Sequence, residues 1–252
     1  MTPDWTALDQ ELARWQEAGM TLPIWWRDDD AIAPTPQLER LLALSEQLSL
    51  PVHLAIIPRD ATPELAKRLS GTATAIPVVH GWAHENHAAP DQKKSEFGAD
   101  RVVDDALDDA ERGLKTLERL FGSALQPMFV PPWNRLSEDL EPWLAGLGYS
   151  ALSTFTPRSQ AKAAPGLLRV NTHLDPIDWK GTRSLVAPAL LLSQLVKQLA
   201  DRRLGKADND EPYGILTHHL VHDDAIWAFC EDLLRRLLAG PARPWVFEER
   251  KS

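Results

Sequence analysis

Seven short apolar segments, each set off by helical or turn-forming stretches, constrain the fold of this chain more than any other feature. They are LPIWWR (22–27), VHLAII (52–57), AIPVV (75–79), PMFV (127–130), YSALST (149–154), LLRVNT (167–172) and GILTH (214–218). Their β-branched and aromatic content suits strands buried on both faces, as parallel strands are. The stretches between them carry helix punctuation. In TPELAKRLSG, Thr62 is placed to cap, Pro63 to take the first helical position and Gly71 to end the run. Apolar faces recur at helical spacing through Leu38, Leu41 and Leu42, through Val103, Leu107, Ala110, Leu114 and Leu117, and through Leu192, Leu195, Val196 and Leu199. Strand followed by helix, repeated, requires crossover connections and predicts an α/β fold with a parallel sheet. FTPRSQAKAAPG, between the fifth and sixth segments, reads instead as a loop, and GKADNDEP (205–212) as a polar surface loop.

A chain of 252 residues can bury the core of one α/β barrel, and no linker divides it, so a single domain over residues 1–252 is expected. Lys and Arg number 27 against 36 Asp and Glu, a net charge of -9 that disfavours nucleic acid and anionic membranes as partners. The lone cysteine, Cys230, lies at helical spacing from Ile226 and Leu233 and reads as a buried structural thiol. The first residues, MTPDWTALDQELARWQEAG, lack a basic region and an apolar run, and no stretch is apolar enough over about 20 residues to span a bilayer. A cytoplasmic location is the expectation.

The titratable residues are not scattered. Seven of eight histidines, namely His80, His84, His87, His173, His218, His219 and His222, fall at or just past proposed strand ends, and RDDD follows the first strand. Parallel barrels build their active sites at that end, where loops from several strands converge. His53, inside an apolar segment, reads as a hydrogen-bonded core residue. In HGWAH, His80 and His84 are four apart, so on a helical turn both rings would face one cation. A carboxylate from RDDD would complete two imidazoles and one oxygen ligand, leaving positions open for water as catalytic zinc sites do. The bland alternatives are two exposed histidines and a solvated acidic loop.

Taken together, the motifs resemble the polysaccharide deacetylase family, metal-dependent carbohydrate esterases on a distorted (β/α)7 barrel. The resemblance runs in order over roughly residues 22–222. RDDDA resembles the family's first motif, which implies Asp29 as general base and Asp30 as metal ligand, with Asp28 in place of an aromatic and a register shift of one left open. HGWAH matches the second and implies His80 and His84 as the other ligands of a divalent metal, zinc before other cations. VPPWN resembles the third. It implies that the Trp133 N–H is the oxyanion donor, but Val130 stands where the family has an arginine that orients the base, so Arg27 or Arg135 would have to take over. DPIDW matches the fourth and implies that Asp175 pairs with the acid histidine while Trp179 walls the acetyl pocket. LTH corresponds to the fifth and implies His218 as general acid, with His219 and His222 close enough to compete.

The resemblance implies hydrolysis of an N- or O-linked acetyl group from a sugar or glycan by metal-activated water, a reaction at carbon–nitrogen bonds other than peptide bonds where the group is an amide. Trp82, Trp133, Trp179 and Arg135 are the candidates for substrate contact, with core packing the alternative for the tryptophans. The polar stretch after the second motif, NHAAPDQKKSEFGADR, is long enough to form a substrate-facing loop. Rival readings are a catalytically impaired sugar-binding relative, a hydrolase of small cyclic amides on the same fold, and a non-haem iron enzyme using the same ligand types.

Overall fold

A computed structural model of the chain describes residues 3–248. Its helices are α1 (Thr6–Glu17), α2 (Pro36–Leu48), α3 (Pro63–Leu69), α4 (Val103–Phe121), α5 (Glu141–Leu144), α6 (Pro188–Arg203) and α7 (Asp224–Ala239). Its strands are β1 (Leu22–Ala31), β2 (Val52–Ile56), β3 (Ala75–Val79), β4 (Met128–Phe129), β5 (Ala151–Leu152), β6 (Lys162–Ala164), β7 (Leu167–Arg169), β8 (Tyr213–Thr217) and β9 (Ala242–Pro244). All seven segments singled out in the sequence form strands. Two strands arise where none was expected: β6 lies within FTPRSQAKAAPG and pairs antiparallel with β7, and β9 pairs with the start of β1.

The main sheet runs β7-β5-β4-β3-β2-β1-β8 with every neighbour parallel. Beyond β7 the chain joins both edges. Thr172 N–H donates to Thr154 O at 3.0 Å beside β5, and Leu216 N–H donates to Leu174 O at 2.9 Å on β8. The inside of this distorted barrel is filled by alternate residues of successive strands: Trp25, Ala55, Val78, Met128, Ala151 and Val170, closed by Phe247. Their neighbours Trp26, Leu54, Val79, Phe129 and Leu152 pack outward against the helices. This is the period-two alternation of a strand, with both faces buried. Gly214 is required where β8 passes the filled interior, since a Cβ there would collide with the Trp25 indole nitrogen.

Helix starts follow the punctuation. Thr35, Thr62 and Asp223 accept from Leu38 N–H (3.1 Å), Leu65 N–H (3.3 Å) and Ile226 N–H (2.9 Å), each bond satisfying an otherwise unpaired donor and contributing about 1 kcal/mol. Cys230 is buried on α7 against Ile177 and Ile226, and burial pushes its thiol well above the ordinary range, as suits a packing residue. His53 donates from Nδ1 to Trp26 O (3.1 Å) and accepts at Nε2 from Phe247 N–H (3.1 Å), so both ring nitrogens serve the core. No described helix is long and apolar enough to cross a membrane.

Candidate active site

The acidic run does not follow the first strand; it lies inside it. Arg27, Asp28 and Asp29 continue β1, and the β1–β2 register slips between Asp29 and Ala31, which marks a bulge at Asp30. Strand alternation then separates the three carboxylates. Trp25, Arg27 and Asp29 share the inner face, and Asp28 points the other way. Asp30, with φ 75°, turns out at the strand end. Like charges adjacent in sequence are thus held in three different environments.

Arg27 is fully buried and reaches across the barrel. Its guanidinium donates to Asp29 from Nε (2.8 Å) and Nη2 (2.9 Å), to Asn134 Oδ1 (2.6 Å) and to Ser153 Oγ (2.8 Å). The side chain therefore locks the Asp29 carboxylate by a two-pronged charge-assisted contact and ties it to the ends of β4 and β5. Arg135 does not share this role: its Nη1 donates to Lys94 O at 2.5 Å. Of the two arginines considered for the missing third-motif position, Arg27 is the one that holds Asp29. Arg135 braces the loop through Lys94.

Asp30, His80 and His84 converge, with one ligand atom from each within 4.8 Å of the others. Asp30 Oδ1 is 3.1 Å from His80 Nε2 and 3.4 Å from His84 Nε2. The His80 Nδ1 lies 2.9 Å from Val130 O, a pure acceptor, so Nδ1 carries the proton and Nε2 of the neutral ring presents a lone pair. A lone pair facing a carboxylate oxygen at that distance needs a cation or a proton between them, and the donor set suits a divalent metal. Burial alone would raise the Asp30 carboxyl. With a proton rather than a metal between the two groups, His80 Nε2 donates to Asp30, and that bond together with the charge of the protonated imidazoles outweighs burial and holds the carboxyl far below the ordinary range. The expected helical turn is absent. Residues 80–84 form a bent loop with Gly81 at φ 58° and His84 at φ 55°, and these left-handed residues swing the second imidazole toward the first.

The turn after β4 supplies the next edge of the site. Trp133 and Asn134 both have left-handed φ (56° and 57°), and the turn's own hydrogen bonds come from Asn134 N–H to Pro131 O and from Arg135 N–H to Pro132 O. The Trp133 N–H takes no part in those two bonds. Its ring packs at 4.2 Å on His84, one of the three residues that converge there. Of seven described non-glycine residues with left-handed φ, four (Asp30, His84, Trp133 and Asn134) are here, the clustering expected of a functional site.

His218 Nε2 approaches Asp29 Oδ2 at 4.0 Å, and the Trp179 ring stands edge-on to His218 at 4.7 Å. Trp179 is 39% exposed and donates from its indole to Asp175 at 2.7 Å. Asp175 also accepts from Ile177 N–H at 3.0 Å, and burial raises its carboxyl above the ordinary range. The direct Asp175–His218 hydrogen bond implied by the family pattern is not formed. Asp175 is engaged by Trp179 and Ile177, and His218 Nδ1 is buried with no partner. His219 is fully buried with its Nδ1 against Asp28, so it faces away from Asp29. Trp82 is half-buried and stacks under the Arg112 guanidinium of α4 at 4.2 Å. His173 is likewise structural, buried among Glu211, Arg202 and the Gly214 N–H. This network takes the end of the GKADNDEP loop into the core.

Two contributors escaped the sequence reading. Asp28 accepts from Thr217 Oγ1 (2.6 Å) and His219 N–H (3.0 Å), clamping the residues on either side of His218. Glu96, in the long connection after β3, is buried and bonded to the His80–His84 loop. Asp28 was visible only as a departure from a motif, and Glu96 carried no signal of spacing.

No protein-family model and no curated protein sequence matches the chain. Solved structures do. A CE4 esterase of Streptococcus mutans aligns with a TM-score of 0.57 and 11% identity over 90% of this chain and 85% of its own. A family 4 carbohydrate esterase from Streptomyces lividans, in complex with acetate, gives 0.55 and 12% over 91% and 95%. A polysaccharide deacetylase of Bacillus cereus gives 0.55 and 14% over 92% and 94%. The chain therefore has the distorted (β/α)7 fold of the carbohydrate esterases. Within that class, the solved proteins it is similar to are polysaccharide deacetylases and CE4 esterases.

Proposed function

We propose that this chain is a metal-dependent hydrolase of the polysaccharide deacetylase type, removing an N- or O-linked acetyl group from a sugar or glycan. The observation that carries the reading is the position of Asp29. Fixed by Arg27, it lies 4.0 Å from His218 and next in sequence to a ligand of the Asp30–His80–His84 cluster. Base, acid and ligand set are thus adjacent at the end of β1, where barrel enzymes do chemistry.

A divalent metal, zinc foremost, held by Asp30, His80 and His84 would polarise the acetyl carbonyl and acidify a water. Asp29 takes the proton of the attacking water, its two oxygens kept in one orientation by Arg27. The Trp133 N–H is the backbone donor toward the oxygen that gains charge at the attacked carbon. His218 gives a proton to the departing amine or alcohol. Trp179, walling His218, confines the acetyl methyl.

Val130 at the arginine position is what motivates an impaired relative, and Arg27, supplying a guanidinium from another strand, supports an intact base instead. Acetate release from acetylated amino sugars and small amides, measured with and without chelator, tests the reading. Asp29→Asn and His218→Ala should each lower turnover by at least about 10²-fold. Near-normal rates in either variant, or turnover indifferent to chelation, would contradict it.

A further inference from the structure

The connection from β3 to α4 returns to the metal-ligand loop through one carboxylate. Glu96 is 0% exposed, and its oxygens accept from Ala83 N–H at 2.7 Å and Trp82 N–H at 3.3 Å. These two residues lie between His80 and His84, in a loop that has no helical hydrogen bonds of its own. Gly81 leaves room for the carboxylate. A Cβ at that position would collide with Glu96 Oε2 and stand 2.6 Å from Pro132 Cδ. The flanking residues tie the same segment to the turn that carries Trp133: Ser137 N–H donates to Phe97 O at 2.8 Å, and Arg135 donates to Lys94 O at 2.5 Å. The segment around Glu96 thus bridges two parts of the site, its side chain bonding the ligand loop and its neighbours' carbonyls bonding the turn that carries Trp133.

A buried carboxylate is costly unless it is bonded or paired. Among the described residues no basic side chain forms an ion pair with Glu96, and its bonds go to the backbone of the ligand loop. A packing role would be met by an apolar residue without that cost. We propose that Glu96 is a positioning residue that holds the His80–His84 loop in ligating geometry before the metal arrives and thereby sets metal affinity. This rests on the reading of Asp30, His80 and His84 as the metal ligands. Preorganisation removes an ordering cost from the binding step, and partners behind a ligand shell typically contribute about 10–100-fold in affinity.

The test is calorimetric titration of zinc into metal-stripped full-length chain, for wild type, Glu96→Gln and Glu96→Ala, with the melting temperature of each metal-free protein recorded alongside. Wild type should bind one zinc. Glu96→Ala should weaken zinc binding about 10–100-fold. Glu96→Gln, whose amide keeps one acceptor and sets an N–H₂ against the other loop donor, should fall between them. If Glu96→Ala fails to fold, Glu96→Gln decides: weakened zinc binding at an unchanged metal-free melting temperature supports the role, and wild-type affinity overturns it. Wild-type affinity in both variants overturns it as well. Absence of zinc binding by the wild-type chain would instead bring down the metal-site reading itself, a result distinct from either.

Discussion

Arg27 and Asp29, two residues apart on β1, point to the same side of the strand and meet through two parallel bonds of 2.8 and 2.9 Å inside the barrel. On the proposed reading, this pair takes the place of the arginine that Val130 replaces. A fully buried guanidinium reaches the carboxylate proposed as base from that carboxylate's own strand, braced by Asn134 and Ser153. Lysine cannot form this fork. Arg27→Lys should therefore lower kcat by about 10²-fold, the order of loss for misplacing a catalytic group by about 1 Å, while zinc affinity is kept. Steady-state kinetics with zinc titration checks both halves. An unchanged kcat would mean that Asp29 needs no such restraint.

Metal removal should destabilise the fold measurably, because Asp30, His80 and His84 join β1 to the loop after β3. With free zinc at 100 times its Kd, the gain is about 2.7 kcal/mol over the metal-free chain. Differential scanning calorimetry with added zinc or chelator reads the shift. Asp30→Asn should abolish most of it, since a neutral amide is a poor ligand for a dication.

Asp28 is a packing and orienting group rather than a catalyst. Its carboxylate is held below the ordinary range despite burial, by the His219 charge and by the bonds from His219 and Thr217. Breaking a buried pair by removing one partner costs about 3–5 kcal/mol. Asp28→Asn should show a loss of that order in urea unfolding. Its turnover should also fall, because the clamp on Thr217 and His219 that sets the His218 backbone is loosened.

Stability should fall on acidification through His53. Burial first, with the Arg27 charge adding to it, lowers this imidazole from 6.5 to about 4. Between those values the unfolded chain binds the proton and the folded chain does not. The contribution is therefore complete above pH 6.5 and is lost as pH drops toward 4, by roughly 3 kcal/mol in all. His222, also lowered to about 4 by burial, adds in the same direction. Urea unfolding at a series of pH values should show this slope, and His53→Gln should make it shallower between pH 6.5 and 4.

The strands were legible because segments buried on both faces are continuously apolar and bounded by polar turns. β6 and β9 were not, since three residues such as Lys162–Ala164 pair only after the rest of the sheet offers an edge. In the site, His80 and His84 stood out by spacing alone. Their spacing misled about conformation, because four residues can bring two rings together on a helix or, as here, around left-handed Gly81 and His84. Trp82 stood out by its place between the ligands, and the loop turns it toward Arg112. Glu96 was silent because a loop carboxylate becomes a positioning group only when distant backbone N–H groups reach it.

The amino-acid sequence by itself determined the order of strands and helices and the stock of imidazoles and carboxylates near strand ends, since both follow from local apolar periodicity and chain position. Which of Asp28, Asp29 and Asp30 meets which partner was decided only by the tertiary structure. Consecutive strand residues face opposite sides, a bulge rotates the third, and each finds its counterpart on a separate strand or loop that closure of the sheet brings within bonding distance.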